Sequence, residues 1–348
     1  MKKMMASTLV ISTALLMFSS CEKGGGNFSI STDSSQFQQA ATFVPRKLDV
    51  LFVMDNSGSM SSSQTKLANN FPSFISYFKS KGYDFRLAVT TSDAYYGDQF
   101  VNSGCSLCNP GQTQFRSGVT PAIRIVENST PNLESVFSSN IQVGINGSGD
   151  ERVFSSFKAA LNSSLNVGFH RPDAYLSVIL ISDEEDFSHD DINLNESYTQ
   201  PTLHNPAIYK TYLEGFTAGQ ATKDFSVSTI SVLDDACRTS LGTGQKISIR
   251  LMQLADMTGG TKNSICNSFA TVLDNISASI ATQTQAIFKL NRKPTVNSIR
   301  VIIDGVLVPQ DSTNGWVYDS VANTVKIVGT TYQPQSGSSI TINFDPAI

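Results

Sequence analysis

Two apolar runs in this chain break off at a carboxylate. Val50 to Met54 stops at Asp55, and Tyr175 to Ile181, interrupted only by Ser177, reaches Asp183 after one further serine. Runs of this kind predict strands buried on both faces, as in the centre of a parallel sheet. Phe85 to Thr91 and the β-branched stretch Phe225 to Leu233 predict two more strands, and Ser264 to Cys266 a short one. Between them the period lengthens. Leu67, Phe71, Phe74, Ile75 and Phe78 recur at helical spacing, with Pro72 predicting a kink or restart near Asn70 and Gly82 a stop. Val153, Phe154, Phe157, Leu161 and Leu165 share a helical face over 151–165, and Ile208, Leu213 and Phe216 mark another helix. Ile249 to Met257 is a further helix, halted at Gly259-Gly260, and Phe269, Val272, Leu273, Ile276 and Ile280 open a long last one. Strands alternating with helices at this rhythm predict an α/β fold, a doubly wound, mostly parallel, Rossmann-like sheet covered on both faces.

Two stretches depart from that rhythm. Ser92 to Thr130 has little periodicity and many Gly, Asn and Ser residues, and reads as an insertion after a strand's carboxyl end. Beyond Lys293-Pro294 the pattern turns strand-like, with Asp304-Gly305 as a hairpin signal between β-branched runs. Residues 294–348 therefore read as a small C-terminal all-β, sandwich-like domain with Trp316 in its core. It resembles the immunoglobulin-like modules attached to bacterial surface domains.

The turn after the first strand carries the candidate chemistry. Asp55, Ser57 and Ser59 alternate, so an extended turn points three oxygens to one side, with Gly58 relaxing the backbone between them. Three oxygens on one loop are half of an octahedral shell for a hard cation. Strand, polar turn and helix is also the arrangement that sets ligand-binding groups at the carboxyl edge of a parallel sheet. Asp55-x-Ser57-x-Ser59 after a buried strand resembles the metal-ion-dependent adhesion site of von Willebrand factor A (VWA) domains. That resemblance covers 45–290. It implies a divalent cation, Mg²⁺ first with Mn²⁺ or Ca²⁺ also compatible, held by three loops. Asp183 matches the aspartate of the third loop.

The second loop departs from the family pattern. The family supplies a Thr at a helix start, whereas this chain has Gly147-Ser148-Gly149-Asp150-Glu151-Arg152. Ser148 offers a hydroxyl, Asp150 and Glu151 offer carboxylates, and Asp150 and Glu151 also suit a helix N-terminus. With Asp55 and Asp183 as the only carboxylates a doubly charged ion is neutralised, and it still attracts an acidic side chain from a partner, as in the adhesive members. A third carboxylate makes the site net negative and brings Ca²⁺ into range. Glu184, Glu185 and Asp186 read as a solvated acidic rim that favours basic partners.

Composition narrows the class. The chain has 348 residues, 40% of them hydrophobic, and a net charge of −4 with no Lys/Arg block. That fits globular domains and argues against a nucleic-acid partner. Lys2 and Lys3 precede a short apolar core, Ser7 to Phe18, as in an export signal. Phe18-Ser19-Ser20-Cys21 resembles a bacterial lipobox, with Phe18 where Leu is usual. The resemblance implies a signal peptide over 1–20 and acylation of Cys21, palmitate included. Glu22 follows where an Asp would mark inner-membrane retention, so the expected destination is the outer membrane. Residues 21–44, Gly/Ser-rich and polar at first, read as a flexible tether. Beyond Cys21 four cysteines remain, and an even number in an exported chain predicts two disulfides. Of three connectivities, Cys105–Cys108 and Cys237–Cys266 are favoured.

Catalytic patterns are missing. Ser57 lacks a Gly-x-Ser-x-Gly elbow, and His170, His189 and His204 show no spacing to a nucleophile. The chain is expected not to be an enzyme. The leading expectation is a lipid-anchored envelope protein that binds a protein partner, on the envelope or on a target cell, through its cation face. The alternative is an envelope scaffold or assembly protein whose cation is purely structural.

Overall fold

The computed structural model describes residues 37–347, apart from 43–44, 104, 173, 218–223, 243–244, 285, 330 and 336. The export signal, Cys21 and most of the expected tether lie outside the described residues. The elements are β1 Phe37–Thr42, β2 Leu48–Met54, α1 Ser61–Ser80, β3 Phe85–Thr91, α2 Ala94–Gln99, β4 Val126–Glu127, α3 Leu133–Ile141 and α4 Val153–Asn162. They continue with β5 Tyr175–Ile181, α5 Pro206–Phe216, β6 Phe225–Ser231, α6 Asp235–Leu241, α7 Ile249–Thr258, β7 Lys262–Ser264 and α8 Phe269–Gln283. Last come β8 Ile287–Lys289, β9 Arg300–Ile303, β10 Val306–Val308, β11 Gly315–Asp319, β12 Thr324–Val328 and β13 Ser339–Phe344.

The main sheet runs β4-β3-β2-β5-β6-β7. Every pairing in it is parallel except that of β4, which runs antiparallel to β3. The pleat divides β2 between two cores. Val50, Phe52 and Met54 pack with α1, α3 and α8, while Leu51 and Val53 pack with α4, α5 and α7. Both layers are required because β2 and β5 are buried along their whole length.

The helix does not restart at Pro72: α1 runs from Ser61 to Ser80 with the proline inside it. Proline removes the hydrogen bond to the carbonyl four residues back, here that of Ala68. The hydroxyl of Ser138, on α3, donates to that carbonyl at 3.0 Å and takes the missing donor's place. The helix expected over 151–165 begins only at Val153, and Leu165 is half exposed in a short 3₁₀ turn rather than on the buried face. The short edge strand falls at Lys262–Ser264, slightly ahead of the expected position. The aperiodic stretch 92–130 is more than a loop: it carries α2 and β4 and sends Phe115 into the core. Both favoured disulfides, Cys105–Cys108 and Cys237–Cys266, are present.

Beyond α8 the chain forms two antiparallel sheets, β1-β13-β9-β10 and β11-β12-β8, around a core of their own. Trp316 lies in that core and donates its indole N–H to the Val308 carbonyl. Asp304 and Gly305 turn β9 into β10 with φ of 50° and 83°. Strand β1 corrects the tether expected to reach residue 44: it pairs with β13 from Phe37↔Phe344 to Thr42↔Ser339. Strand β8 likewise joins from ahead of the expected boundary at 294. A core built from about 55 residues is marginal, and both flanks of the α/β body add strands to the sheets.

Candidate metal centre

The site is assembled where the central strands end together. The Asp55 N–H donates to the Ile181 carbonyl and the Ser92 N–H to the Met54 carbonyl, which levels the carboxyl ends of β2, β3 and β5. Three loops leave that edge: 55–60 after β2, 143–152 before α4, and 182–190 after β5.

The first and third loops meet. One carboxylate oxygen of Asp55, which is fully buried, accepts from the Ser57 N–H at 2.8 Å, and the other from the Ser182 hydroxyl at 2.7 Å. The Ser59 hydroxyl donates to Asp183 at 3.0 Å, and the Ser57 and Ser59 hydroxyls stand 3.2 Å apart. Ser57 and Asp183 are buried and Ser59 is exposed, so the cluster opens to solvent at Ser59.

The second loop is tied to the first through backbone. The Gly147 N–H donates to the Asn56 carbonyl, and a Cβ at 147 would lie 2.4 Å from the Asn56 carboxamide carbon. Gln64, on α1, donates to the Asp55 carbonyl at 3.2 Å and to the Gly144 carbonyl at 2.8 Å. On this loop the three open candidates differ. The Ser148 hydroxyl accepts from the Asp150 N–H at 3.0 Å and keeps a second lone pair. The Asp150 carboxylate holds the buried Arg152, at 2.7 Å to Nη2 and 3.2 Å to Nε. Arg152 in turn donates to the His189 carbonyl and lies over the rings of Tyr96 and Phe100, which binds the second loop to the third and to α2.

Glu151 is different. It is 1% exposed, and neither of its carboxylate oxygens has a hydrogen-bond partner. Burial, followed by the charges of Asp55 and Glu184, pushes its carboxyl far up from the usual range. Burial, with Asp183 beside it, also raises Asp55, against the pull of Ser182 and Ser57. Such a group is costly unless something positive partners it.

A divalent cation fits this donor set. All the groups are carboxylate or hydroxyl oxygens, and the Glu151 carboxylate is buried without a partner, which suits a hard ion. Among the described residues, no three His, Cys, Asp or Glu side chains are grouped tightly enough to hold a metal unaided. Here the serine hydroxyls of the first loop stand between the carboxylates.

The acidic run after Asp183 corrects the expectation of a solvated rim. Asp186 is fully buried: it accepts from the Phe154 N–H at 3.0 Å, so capping α4, and pairs with Arg250 at 3.1 Å. Glu185 is buried as well and accepts the Arg250 N–H at 2.8 Å, at the start of α7. Only Glu184 remains at the rim, pushed up to about 7 by partial burial and then by Asp183 and Asp55. Nearby Tyr198 is also raised, by burial and then by Glu196, Glu184 and Glu151. Sequence reasoning missed Ser182, Gln64 and Tyr198. Of these, only Ser182 carried a signal, as the hydroxyl between a buried strand and its terminal aspartate.

A separate cavity of about 240 Å³ is lined by Tyr95, Lys158, Asp190, His204 and Tyr209. His204 bonds the Tyr209 hydroxyl at 2.7 Å, and Tyr209 bonds Ser155 at 2.9 Å. Ser155 also lines the cavity, though it is largely buried.

No protein-family profile matches the chain, and no curated protein matches it. Among solved structures, proximal thread matrix protein 1 from the mussel byssus aligns at 14% identity and a TM-score of 0.40, over 71% of this chain and 51% of that one. Another structure of it, described as having a zinc-occupied MIDAS motif, aligns at 15% and 0.36. The pilus adhesin SpaC from Lactobacillus rhamnosus GG aligns at 12% and 0.39, over 87% of this chain and 40% of that one. The chain thus spans about half the length of the mussel protein and less of the adhesin. Overlays this partial add nothing to the fold, which rests on its own strand order.

Proposed function

We propose that this is an exported envelope protein, lipid-anchored at Cys21 in the outer membrane, that binds a protein partner through a divalent cation on its α/β domain. Asp55, Ser57, Ser59, Asp183 and Glu151 would hold the ion. Mg²⁺ is the first choice, and Ca²⁺ becomes competitive because a third carboxylate joins the set. The ion supplies a positive centre that neutralises the buried acids and leaves a position open to solvent beside Ser59. The observation that carries the reading is the buried, partnerless carboxylate of Glu151 in an acidic cluster that the Ser59–Asp183 bond closes from the other side. Two disulfides suit an oxidising compartment. Among the described residues no helix is long and apolar enough to cross a membrane. No catalytic step belongs to this reading.

The same carboxylate favours a second reading, an envelope scaffold whose ion is structural, because an ion would offset its buried charge. Calorimetric titration with Mg²⁺, Mn²⁺ and Ca²⁺, on wild type and Asp55→Ala, tests the ion. Binding to envelope and target-cell proteins with and without EDTA tests its role. Adhesion requires that EDTA and Asp55→Ala both weaken binding; if neither alters it, that reading fails. The scaffold requires EDTA to lower the melting temperature while binding survives.

A further inference from the structure

We infer that the cavity beside α4 and α5 binds a small zwitterion, a free α-amino acid with an apolar side chain. It uses none of the residues that would hold the cation.

The cavity has donors on one element and an acceptor on another. Lys158 and Asn162 both line it and lie one turn apart on α4, so they project from one side of the helix. The Lys158 ammonium lies 6.0 Å from the ring centre of Tyr209 and 5.6 Å from that of Tyr212, and no acid is paired to it among the described residues. The Asn162 side-chain oxygen accepts from the Tyr212 hydroxyl at 3.0 Å, which leaves its NH₂ as a donor. The acceptor is Asp190, on the third loop. Its side chain is exposed, yet both oxygens are held: the Tyr95 hydroxyl donates to Oδ1 at 2.8 Å, and His204 Nε2 stands 3.3 Å from Oδ2. The chain of contacts continues inward from His204 Nδ1 to the Tyr209 hydroxyl at 2.7 Å and from there to Ser155 at 2.9 Å. With the Nε2 proton toward Asp190, Nδ1 accepts from Tyr209, and Tyr209 accepts from Ser155. Exposed ion pairs add little stability, so a buried relay that fixes an exposed carboxylate points to a ligand rather than to the fold.

Charge and size select that ligand. The ammonium of Lys158 and the carboxylate of Asp190 line the same cavity. A ligand with a single charge leaves one of them uncompensated, whereas a zwitterion satisfies both. Its carboxylate accepts from Lys158 and Asn162, and its ammonium donates to the open lone pairs of Asp190. At about 30 Å³ for each displaced water, a volume of about 240 Å³ holds roughly eight non-hydrogen atoms, the size of valine or leucine. Ala159 and the phenol rings of Tyr95 and Tyr209 supply the surface for an apolar side chain.

The test titrates the full chain, in EDTA so that no cation takes part, and reads binding by calorimetry. The probes are L-leucine, L-valine, isoamylamine (leucine without its carboxylate), isocaproate (leucine without its ammonium) and glucuronate, a sugar with a single charge. At least one of the two amino acids should bind. Isoamylamine, isocaproate and glucuronate should each bind at least about tenfold more weakly than the better amino acid. Lys158→Met and Asp190→Asn should each weaken that amino acid at least about tenfold. Both positions are exposed, so circular dichroism should show the fold unchanged; Lys158→Gln and Asp190→Ser serve if either variant does not fold. The inference is overturned if neither amino acid binds, or if any of the three singly charged probes binds as tightly as the better amino acid. It is also overturned if a folded variant at Lys158 or at Asp190 leaves binding unchanged. Each of those failures leaves the cation reading untouched, because the two sites share no side chain.

Discussion

Asparagine in place of Asp55 makes the electrostatics of the site measurable without a partner. In the metal-free protein, burial above all raises Asp55 from 3.8 to about 6. The folded chain therefore holds this proton more tightly than the unfolded chain. Stability from the neutral carboxyl is fully present below about pH 4 and is lost as the pH rises through about 6. A shift of that size corresponds to about 3 kcal/mol. Glu151 moves in the same direction, so the decline in wild type continues at higher pH. The substituted amide stays neutral throughout; its oxygen can accept from the Ser57 N–H, and its NH₂ then meets the Ser182 hydroxyl, which can rotate to accept. Urea denaturation in EDTA, stepped from about pH 4 to about pH 7, should show Asp55→Asn gaining about 3 kcal/mol on wild type. With Mg²⁺ at about 100 times its dissociation constant, wild type recovers about 2.7 kcal/mol by linkage, and Asp55→Asn recovers little. A difference between the two proteins that stays flat with pH in EDTA would refute a carboxyl forced neutral by its surroundings.

Three further outcomes follow from the loops and helices around the site. Gly147→Ala drives a methyl into the Asn56 side chain, itself held by Asp93 at 3.1 Å, so Mg²⁺ affinity by calorimetry should fall at least about tenfold while the fold persists by circular dichroism. Ser138→Ala strips the Ala68 carbonyl of the donor that stands in for Pro72, and urea melts should show a loss of about 1–2 kcal/mol, rescued by Thr but not by Val. Replacing Cys237 and Cys266 with serine opens a loop of sequence separation 29 and should cost about 3–4 kcal/mol; replacing Cys105 and Cys108, separated by 3, should cost less than about 2 kcal/mol.

What the sequence disclosed was set by how local the signal is. β2 and β5 are nearly unbroken apolar runs, with Asp49 and Ser177 the exceptions, so their existence, their place in a parallel sheet and the aspartates that follow them were readable. Asp55, Ser57 and Ser59 lie on one turn, and Asp183 was singled out by the resemblance to the VWA third loop, as an aspartate ending another buried strand. The second loop was not decidable in advance. Ser148, Asp150 and Glu151 are near neighbours, and what separates them is that Ser148 turns back on its own loop and Asp150 is claimed by Arg152, leaving Glu151 alone. Glu185 and Asp186 looked like a solvated rim because consecutive acids usually are one. Their burial depends on the first turns of α4 and α7, which come from distant parts of the chain. β1 was hidden for a related reason, since its polar sequence contains nothing that names β13 as its partner.

The pairing of β1 with β13 also bears on how the chain folds. Gln38 is paired with Asn343, so the earliest described strand waits for a partner about 300 residues further along the chain. The α/β body can close while β1 hangs idle, and the four-stranded sheet is completed only when β13 arrives. A variant lacking residues 339–344 would leave β1 and β9 with unfilled sheet edges, a form prone to pair with its neighbours.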